Sequence, residues 1–389
     1  MLVEVEKIVN GGFGLARTKN GVCLIPYAVP GDLLQVECSD HINPRFCWIK
    51  KIEKPSNHRI ESNCPSFTAC GGCDFQSMEY RYELEMKKGI VIEDMKRISK
   101  IKLDNVEVIH SKPDYYRNNA QFKTDENGNV GFFRKKSNEV VPLPEKSNGC
   151  LIIDQKINTF VRKLRKAVKF KKGSFRVRSN REGIIYKKGI PGIEDDSYCF
   201  YNALDMKFRI GIDDFFQVNN YLYEDWLKIV IDYIDPVDRD LVVDLFAGSG
   251  FISIPVAKKA GRVFGMEING SAVKNAKYNA KINNVDNIIF KRVDVNRGFY
   301  FKDKIDKVVV DPPRLGMSRL LIDEITERAP EIIVYVSCNS STFSRDVGLL
   351  YKKGYSIDKI TVVDLFPRTA HVEVIARLLK GDKWLAKAL

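Results

Sequence analysis

Cys64, Cys70 and Cys73 fall within ten residues in the stretch "NCPSFTACGGCDF", with C-x5-C-x2-C spacing, and the nearest later cysteine of that region is Cys150 in "NGCLI". Four thiolates so placed suit a soft metal centre, and the spacing alone leaves structural zinc and an iron–sulfur cluster equally open. The double glycine of "CGGC" frees the backbone for a tight loop around a metal, which argues against four unliganded thiols.

A second group of residues suits a nucleoside-containing cofactor. "LVVDLFAGSGFISIPVA" reads as a buried strand ending in Asp244, a turn with Gly248 and Gly250, and a helix. Glycine at such a turn lets backbone amides approach a ligand closely. Glu267 ends the next strand about 20 residues on, where a carboxylate can accept hydrogen bonds from a ribose diol. A dinucleotide would call for a third glycine near Ile254, and none is there, which favours S-adenosylmethionine.

Three more residues lie at later strand ends. Asp311 precedes two prolines in "VVVDPPRLGMS", Cys338 ends the strand of "VYVSCNSSTFSRD", and Glu373 sits in the short apolar strand of "FPRTAHVEVIARL", where alternation turns His371 to the same face. A lone strand-end cysteine is commonly a small buried residue, and an inward carboxylate is commonly paired. At strand ends facing a cofactor they also suit a nucleophile and a base whose pKa is set by burial.

The elements that position these groups divide the chain in three. Residues 1–58 alternate apolar and polar positions over about five short runs broken by "NGGFG", "KNG" and "PGD", which predicts a small β-barrel. Residues 59–215 hold the cysteines, a helix over "MEYRYELEMKKGIVIEDMKRI", and strands around "YYRNNAQFKT" and "NVGFFRKK". From 216 onward apolar strands alternate with helical stretches, the pattern of a doubly wound, mainly parallel α/β sheet.

The formal net charge is +13, from 63 Lys and Arg against 50 Asp and Glu. Between Arg162 and Arg178 stand nine basic and no acidic residues, interleaved with Phe170 and Phe175. Apolar Ile153, Ile157, Phe160, Val161, Leu164 and Val168 recur at helical steps beneath them, predicting an amphipathic helix with a cationic face suited to phosphates. No apolar run is long enough to span a membrane, and the start "MLVEVEKIVNGG" lacks the features of a secretory signal. A cytoplasmic protein with reduced thiols, monomeric and without an obligate protein partner, is expected.

"DLFAGSG", "DPPR", "VYVSCNSSTFSRD" and "FPRTAHVEV", in this order, resemble the RNA uracil-C5 methyltransferases. "CPSFTACGGC" resembles the iron–sulfur motif of the ribosomal-RNA branch of that family, and "GGFGLAR" with "IPYAVPGDLLQVE" resembles a TRAM domain, an OB-like barrel that binds RNA. The likeness covers essentially the whole chain. It implies an α/β fold with a Rossmann-like class I methyltransferase domain, the N-terminal barrel and a small central α+β domain. It also implies a [4Fe–4S] cluster on Cys64, Cys70, Cys73 and Cys150, zinc being the alternative.

The resemblance also assigns roles. Cys338 would add to C6 of uracil, activating C5 to take the methyl group, and Glu373 would remove the C5 proton so that the thiol leaves. Asp311 would contact the uracil edge or the cofactor, with Arg314 beside the developing oxyanion. Gln217, Phe246, Gly248, Gly250, Glu267, Asp294 and Asp311 would bind S-adenosylmethionine. Phe251 departs from the family's small or polar residue at that point. The target base must leave its stack, with Phe215 or Phe216 available to splayed bases. The cluster motif and barrel favour 23S rRNA over tRNA; a base-nitrogen methyltransferase and a non-catalytic RNA-binding scaffold are the remaining alternatives.

Overall fold

The computed structural model describes residues 1–19, 21–39, 44–144 and 149–381. Its largest sheet has eight strands in the order Ile288–Arg292, Arg262–Glu267, Leu241–Leu245, Lys307–Val310, Ile332–Ser337, Glu373–Lys380, Tyr355–Val363 and Glu107–Ile109. All neighbouring pairs are parallel except the two made by Glu373–Lys380, which is antiparallel to both its partners. Alternate residues feed two cores, as the two-residue period of a strand requires. Val242, Val309, Val334 and Ile375 face helices Tyr223–Ile234 and Gly270–Ile282, while Val243, Val308, Ile333 and Val374 face helices Arg319–Arg328 and Ser340–Lys352.

Leu241–Leu245 lies between Arg262–Glu267 and Lys307–Val310, so the order of strands reverses at its edges. The crevice at its carboxyl end is where ligands of open α/β sheets bind. The doubly wound sheet expected from the sequence is therefore present, and three pieces drawn from residues 59–215 join its unit. Strand Glu107–Ile109 extends the sheet edge on Thr361, Val362 and Val363. Val91 of helix Tyr80–Asp94, and Met95 just beyond it, belong to the same core as Phe343 and Val347. The hairpin Tyr198–Ala203/Met206–Gly211 also packs on this unit, with Arg209 N donating to Asn279 Oδ1 at 2.7 Å. Long-range burial, which local pattern does not encode, moves these segments.

Six strands form the N-terminal sheet, in the order Leu2–Glu4, Leu33–Cys38, Arg45–Lys54, Gly21–Pro26, Phe13–Thr18 and Lys7–Val9. Leu2–Glu4 ends one side of this order and Lys7–Val9, just beyond it in the chain, ends the other, so one N-terminal run closes the sheet around Val3, Val5, Ala16, Cys23, Ile25, Leu34 and Val36. One expectation is overturned here. Cys38 and Cys47 face each other in register and form a disulfide, and Cys23 Sγ lies within 4.8 Å of both sulfurs, although the chain's cysteines were expected to be reduced. Register, not spacing in sequence, brings them together.

Helix Gln155–Ala167 covers the five-stranded central sheet, burying Ile157, Val161 and Leu164 against Phe122, Phe175 and Val177. Arg162, Lys163, Lys166, Lys169, Lys171 and Lys172 are exposed. Two members of the basic stretch are not surface groups: Phe175 stacks on Phe122 and Phe170 within the core, and Arg178, 1% exposed, donates to the Asp214 carbonyl. Among the described residues no helix is long and apolar enough to cross a membrane.

Candidate active site

The strand Leu241–Leu245 delivers its chain into a turn of unusual backbone. Phe246 has φ of 72°, and Phe246 N and Ala247 N both donate to the Met266 carbonyl at 2.9 Å. Gly248 follows at φ 53°, and a Cβ added there would meet nothing within 4 Å, so the turn opens onto free space. Gly250, at φ 82°, is required for a different reason: its Cβ would lie 2.9 Å from Ile254 and Phe290. Glu267 braces the turn, Oε2 accepting from Gly248 N at 3.0 Å and Oε1 from Asn269 N at 2.7 Å. Each oxygen keeps a further lone pair for a diol.

Asp244 lies beneath the turn, 1% exposed, with Ser253 Oγ donating to one oxygen and no partner on the other. Burial, then the charges of Asp311 and Glu267, push its carboxyl up to about 7, with the Ser253 bond opposing. Asp311 is itself pushed up to about 7, by burial and then by Glu267. Asp294, past strand Ile288–Arg292, pairs with Arg297 at 3.1 Å. Gln217 is buried, and its carbonyl accepts from Asn118 Nδ2 at 3.0 Å. Its neighbour Phe216 meets Phe251, the residue after Gly250, edge to face with ring centroids 4.9 Å apart. These residues fit a nucleoside-bearing donor: a bracing carboxylate, an open glycine cradle and an unpartnered buried oxygen.

Phe216 and Phe251 themselves are core groups. Phe216, 3% exposed, stacks on Tyr201, and Phe251 packs against Phe208, Tyr223 and Trp226. The aromatic at 251 thus fills an aromatic core, and of the two phenylalanines proposed for base stacking only Phe215, 72% exposed, is accessible.

Cys338 stands where strand Ile332–Ser337 turns into helix Ser340–Lys352. Asn339 caps the helix through Ser341 N at 3.1 Å and donates to the Arg314 carbonyl at 3.0 Å, as Thr342 does at 3.1 Å. The turn after Asp311 is thereby fastened to the cysteine. A cavity of about 340 Å³ opens there, lined by Cys338, Arg314 and His371 beside the eight-stranded sheet, Asn10 and Gly11 beside the N-terminal sheet, and Gly71, Asp74 and Lys135 from the region between. Burial, then Glu373 and Asp311, push the Cys338 thiol up to about 11 against the opposing Arg314 charge. A helix N-terminus ordinarily favours thiolate; here burial and the two carboxylates outweigh it.

Glu373, 3% exposed, is the first residue of its strand, and burial followed by Asp311 holds its carboxyl well above the usual range. The Trp226 indole acts against this shift without closing a well-formed hydrogen bond. His371 precedes the strand in a loop rather than sharing its alternation, and takes an N–H from Arg314 Nη2 at 3.1 Å on Nε2. The structure therefore brings Asp244, Glu267, Asp311, Glu373 and Cys338 into one electrostatic neighbourhood. Sequence reading missed Asp74, which directly follows Cys73, and Lys135 of "NVGFFRKK", since neither belongs to a motif that carries the methyl-transfer chemistry.

Cys64, Cys70, Cys73 and Cys150 line a separate cavity of about 290 Å³, with Phe67, Phe132, Ile152 and Ile153 around them. Burial raises the thiols of Cys70, Cys73 and Cys150, the last to about 12, and each thiolate charge adds to the others. Gln76 Nε2 donates to Cys73 Sγ at 3.1 Å, and Cys150 is held by Asn158, which accepts from its N and donates to its carbonyl. Four thiols lining one cavity, Cys73 buried and the other three half-buried, fit a cationic metal centre, which removes the cost of their charge.

Residues 199–380 match the sequence profile of the family described as tRNA (Uracil-5-)-methyltransferase. An uncharacterized RNA methyltransferase of Aquifex aeolicus is 34% identical, the alignment covering 98% of each chain. The 23S rRNA (uracil(1939)-C(5))-methyltransferase RlmD of a Marinomonas species is 28% identical over 97% of this chain and 94% of its own. Among solved structures, the Pyrococcus abyssi tRNA (uracil-54, C5)-methyltransferase in complex with S-adenosyl-L-homocysteine superposes with a TM-score of 0.76 at 25% identity, covering 97% of this chain and all of that one. The chain belongs to the family of RNA uracil-C5 methyltransferases, enzymes that take their methyl group from S-adenosylmethionine.

Proposed function

We propose that this enzyme methylates C5 of a uridine in 23S rRNA through a covalent bond between Cys338 and C6 of the base. The observation that carries the mechanism is the placing of Cys338 at the wall of a cavity with Arg314 beside it and Glu373 and Asp311 acting on its charge. Addition of the Cys338 sulfur to C6 moves the ring electrons toward C5 and O4, and Arg314 is the cation available to the developing oxyanion. A bound methylsulfonium would supply the electrophilic methyl group, C5 bonding to it as the donor leaves as a neutral thioether. Glu373 then takes the C5 proton, and the electron pair returns to expel the Cys338 thiolate from C6. Its burial favours a carboxyl that readily accepts a proton.

Gln217, Phe246, Gly248, Gly250, Glu267, Asp294 and Asp311 are the residues proposed to hold the donor, around the open turn at Gly248. Cys64, Cys70, Cys73 and Cys150 are proposed to hold a [4Fe–4S] cluster. Among the described residues no three of these four sulfurs lie within 4.8 Å of one another. Zinc on the same four cysteines is the alternative.

The 23S target is supported by relatives named as 23S rRNA enzymes that align over nearly the whole chain, cysteine loop and barrel included. A tRNA uridine is the second reading, favoured by the whole-chain superposition on the Pyrococcus tRNA enzyme. Mass-spectrometric mapping of 5-methyluridine in 23S rRNA and tRNA from cells lacking this gene, with a complemented strain, decides between them. Loss at rRNA uridines alone is expected. Loss confined to tRNA overturns the target, and no loss in either overturns the activity.

A further inference from the structure

Methyl transfer needs no electron, yet the chain holds four cysteines beside its active site. The residue after Cys73 shows a physical link between the two. Asp74 N and Phe75 N both donate to the Arg368 carbonyl, at 2.8 and 3.1 Å. Asp74 Oδ2 accepts from Ala370 N at 2.8 Å, and Oδ1 accepts from Lys135 Nζ at 2.5 Å. The segment so gripped, Arg368 to Ala370, leads directly into His371 and Glu373. Arg368 has φ of 66°, a conformation that needs outside support in a non-glycine residue. Lys135 meanwhile lines the Cys338 cavity, held over the rings of Phe13 and Tyr27 at 5.4 and 5.5 Å. The barrel closes on the same point, since a Cβ at Gly12 would meet Ala370 at 2.6 Å and Asp74 at 3.3 Å.

We propose that Asp74 is the positioning residue through which the four-cysteine centre sets the geometry of the methyl-transfer site, one carboxylate oxygen fixing the backbone before His371 and the other holding Lys135 at the cavity wall. This rests on the reading that the Cys338 cavity is the active site. A group bound by Cys73 fixes the start of the 74–76 segment, and Asp74 passes that constraint to the 368–371 backbone. Lys135, fixed by this ion pair and by the rings of Phe13 and Tyr27, is held at the cavity wall as a cation for an RNA phosphate beside Cys338.

The two oxygens give separable effects. In Asp74→Asn the amide oxygen still accepts from Ala370 N, but the charge that holds Lys135 is gone. In Asp74→Ala both are lost. Amide hydrogen exchange of residues 369–372 in the full-length protein is the primary measurement, with kcat and RNA KM beside it. Asp74→Ala is expected to speed exchange there roughly tenfold and to lower kcat by a similar factor, the effect of a lost, partly buried hydrogen bond. Asp74→Asn is expected to raise the RNA KM about fivefold with the smaller change in exchange. Stripping the metal centre by oxidation and chelation should speed exchange at 369–372 while strands Leu241–Leu245 and Lys307–Val310 keep their protection.

Unchanged exchange and kcat in Asp74→Ala overturn the proposal. So does an unchanged RNA KM in Asp74→Asn, which keeps the test decisive if the alanine variant does not fold. The exchange measurement needs no turnover. Accelerated exchange in a protein that methylates no uridine would sink the functional reading and spare the link; normal methylation with unaltered exchange would do the reverse.

Discussion

Arg314 and His371 meet at the wall of the Cys338 cavity, Nη2 of the guanidinium 3.1 Å from Nε2 of the imidazole. Arginine can only donate, so the imidazole must be neutral to accept. Burial, then Arg314, hold the His371 pKa down at about 4. Between about 6.5 and 4 the unfolded chain binds a proton here that the folded chain refuses, so stability falls as pH falls through that window. His371→Gln removes this dependence. Unfolding free energies at pH 7.5 and 5 should differ more for the wild type than for the variant, by at most roughly 1.4 kcal/mol per pH unit. Identical pH profiles would contradict the assignment.

Arg314 is also the cation that opposes the rise of the Cys338 thiol to about 11. Without RNA or donor, Cys338 should react slowly with iodoacetamide at pH 8 and about tenfold faster per pH unit below its pKa, as thiolate accumulates. Arg314→Ala should shift that profile to higher pH, and labelled-peptide mass spectrometry reads it. A profile that stays put, or moves down, would show that the guanidinium does not act on the sulfur.

Lys87 is fully buried, with Nζ 2.8 Å from Glu83, 2.7 Å from Asp364 and 3.0 Å from the Phe366 carbonyl. Burial works against its charge, but Asp364 and Glu83 outweigh burial and raise its pKa. Lys87→Met leaves buried Asp364 without a cation and Glu83 with only the Arg368 guanidinium at 3.6 Å, a loss of about 3–5 kcal/mol. Urea unfolding checks this, and a cost below about 1 kcal/mol would contradict it. Because Glu83 also accepts from Arg368 N at 2.7 Å, this ion group supports the same loop that Asp74 grips.

The parts of this architecture that were legible in the sequence are those written in local chemistry. Period-two and all-apolar runs mark the strands, glycines at 248 and 250 mark the turn, and the strand-end positions of Asp311 and Cys338 mark the crevice. What was not legible depends on distant partners. Strand Glu107–Ile109 joins the catalytic sheet through residues some 250 positions away. Phe216 was expected to meet splayed bases and Arg178 to join a cationic surface, yet the hairpin at 198–211 and the segment at Asp214 bury them. The Cys38–Cys47 pairing follows from strand register, and the role of Asp74 from a loop nearly 300 residues downstream.

The central claim is that Cys338 forms a covalent bond to the base and Glu373 ends it. The most direct measurement is denaturing electrophoresis of the enzyme after incubation with S-adenosylmethionine and a 23S rRNA fragment, in wild type, Cys338→Ala and Glu373→Gln. The account predicts no denaturation-resistant complex and no methylation for Cys338→Ala. For Glu373→Gln it predicts a complex that carries the methyl group and persists, because proton removal fails while addition and methyl transfer proceed. Methylation by Cys338→Ala at the wild-type rate would contradict it.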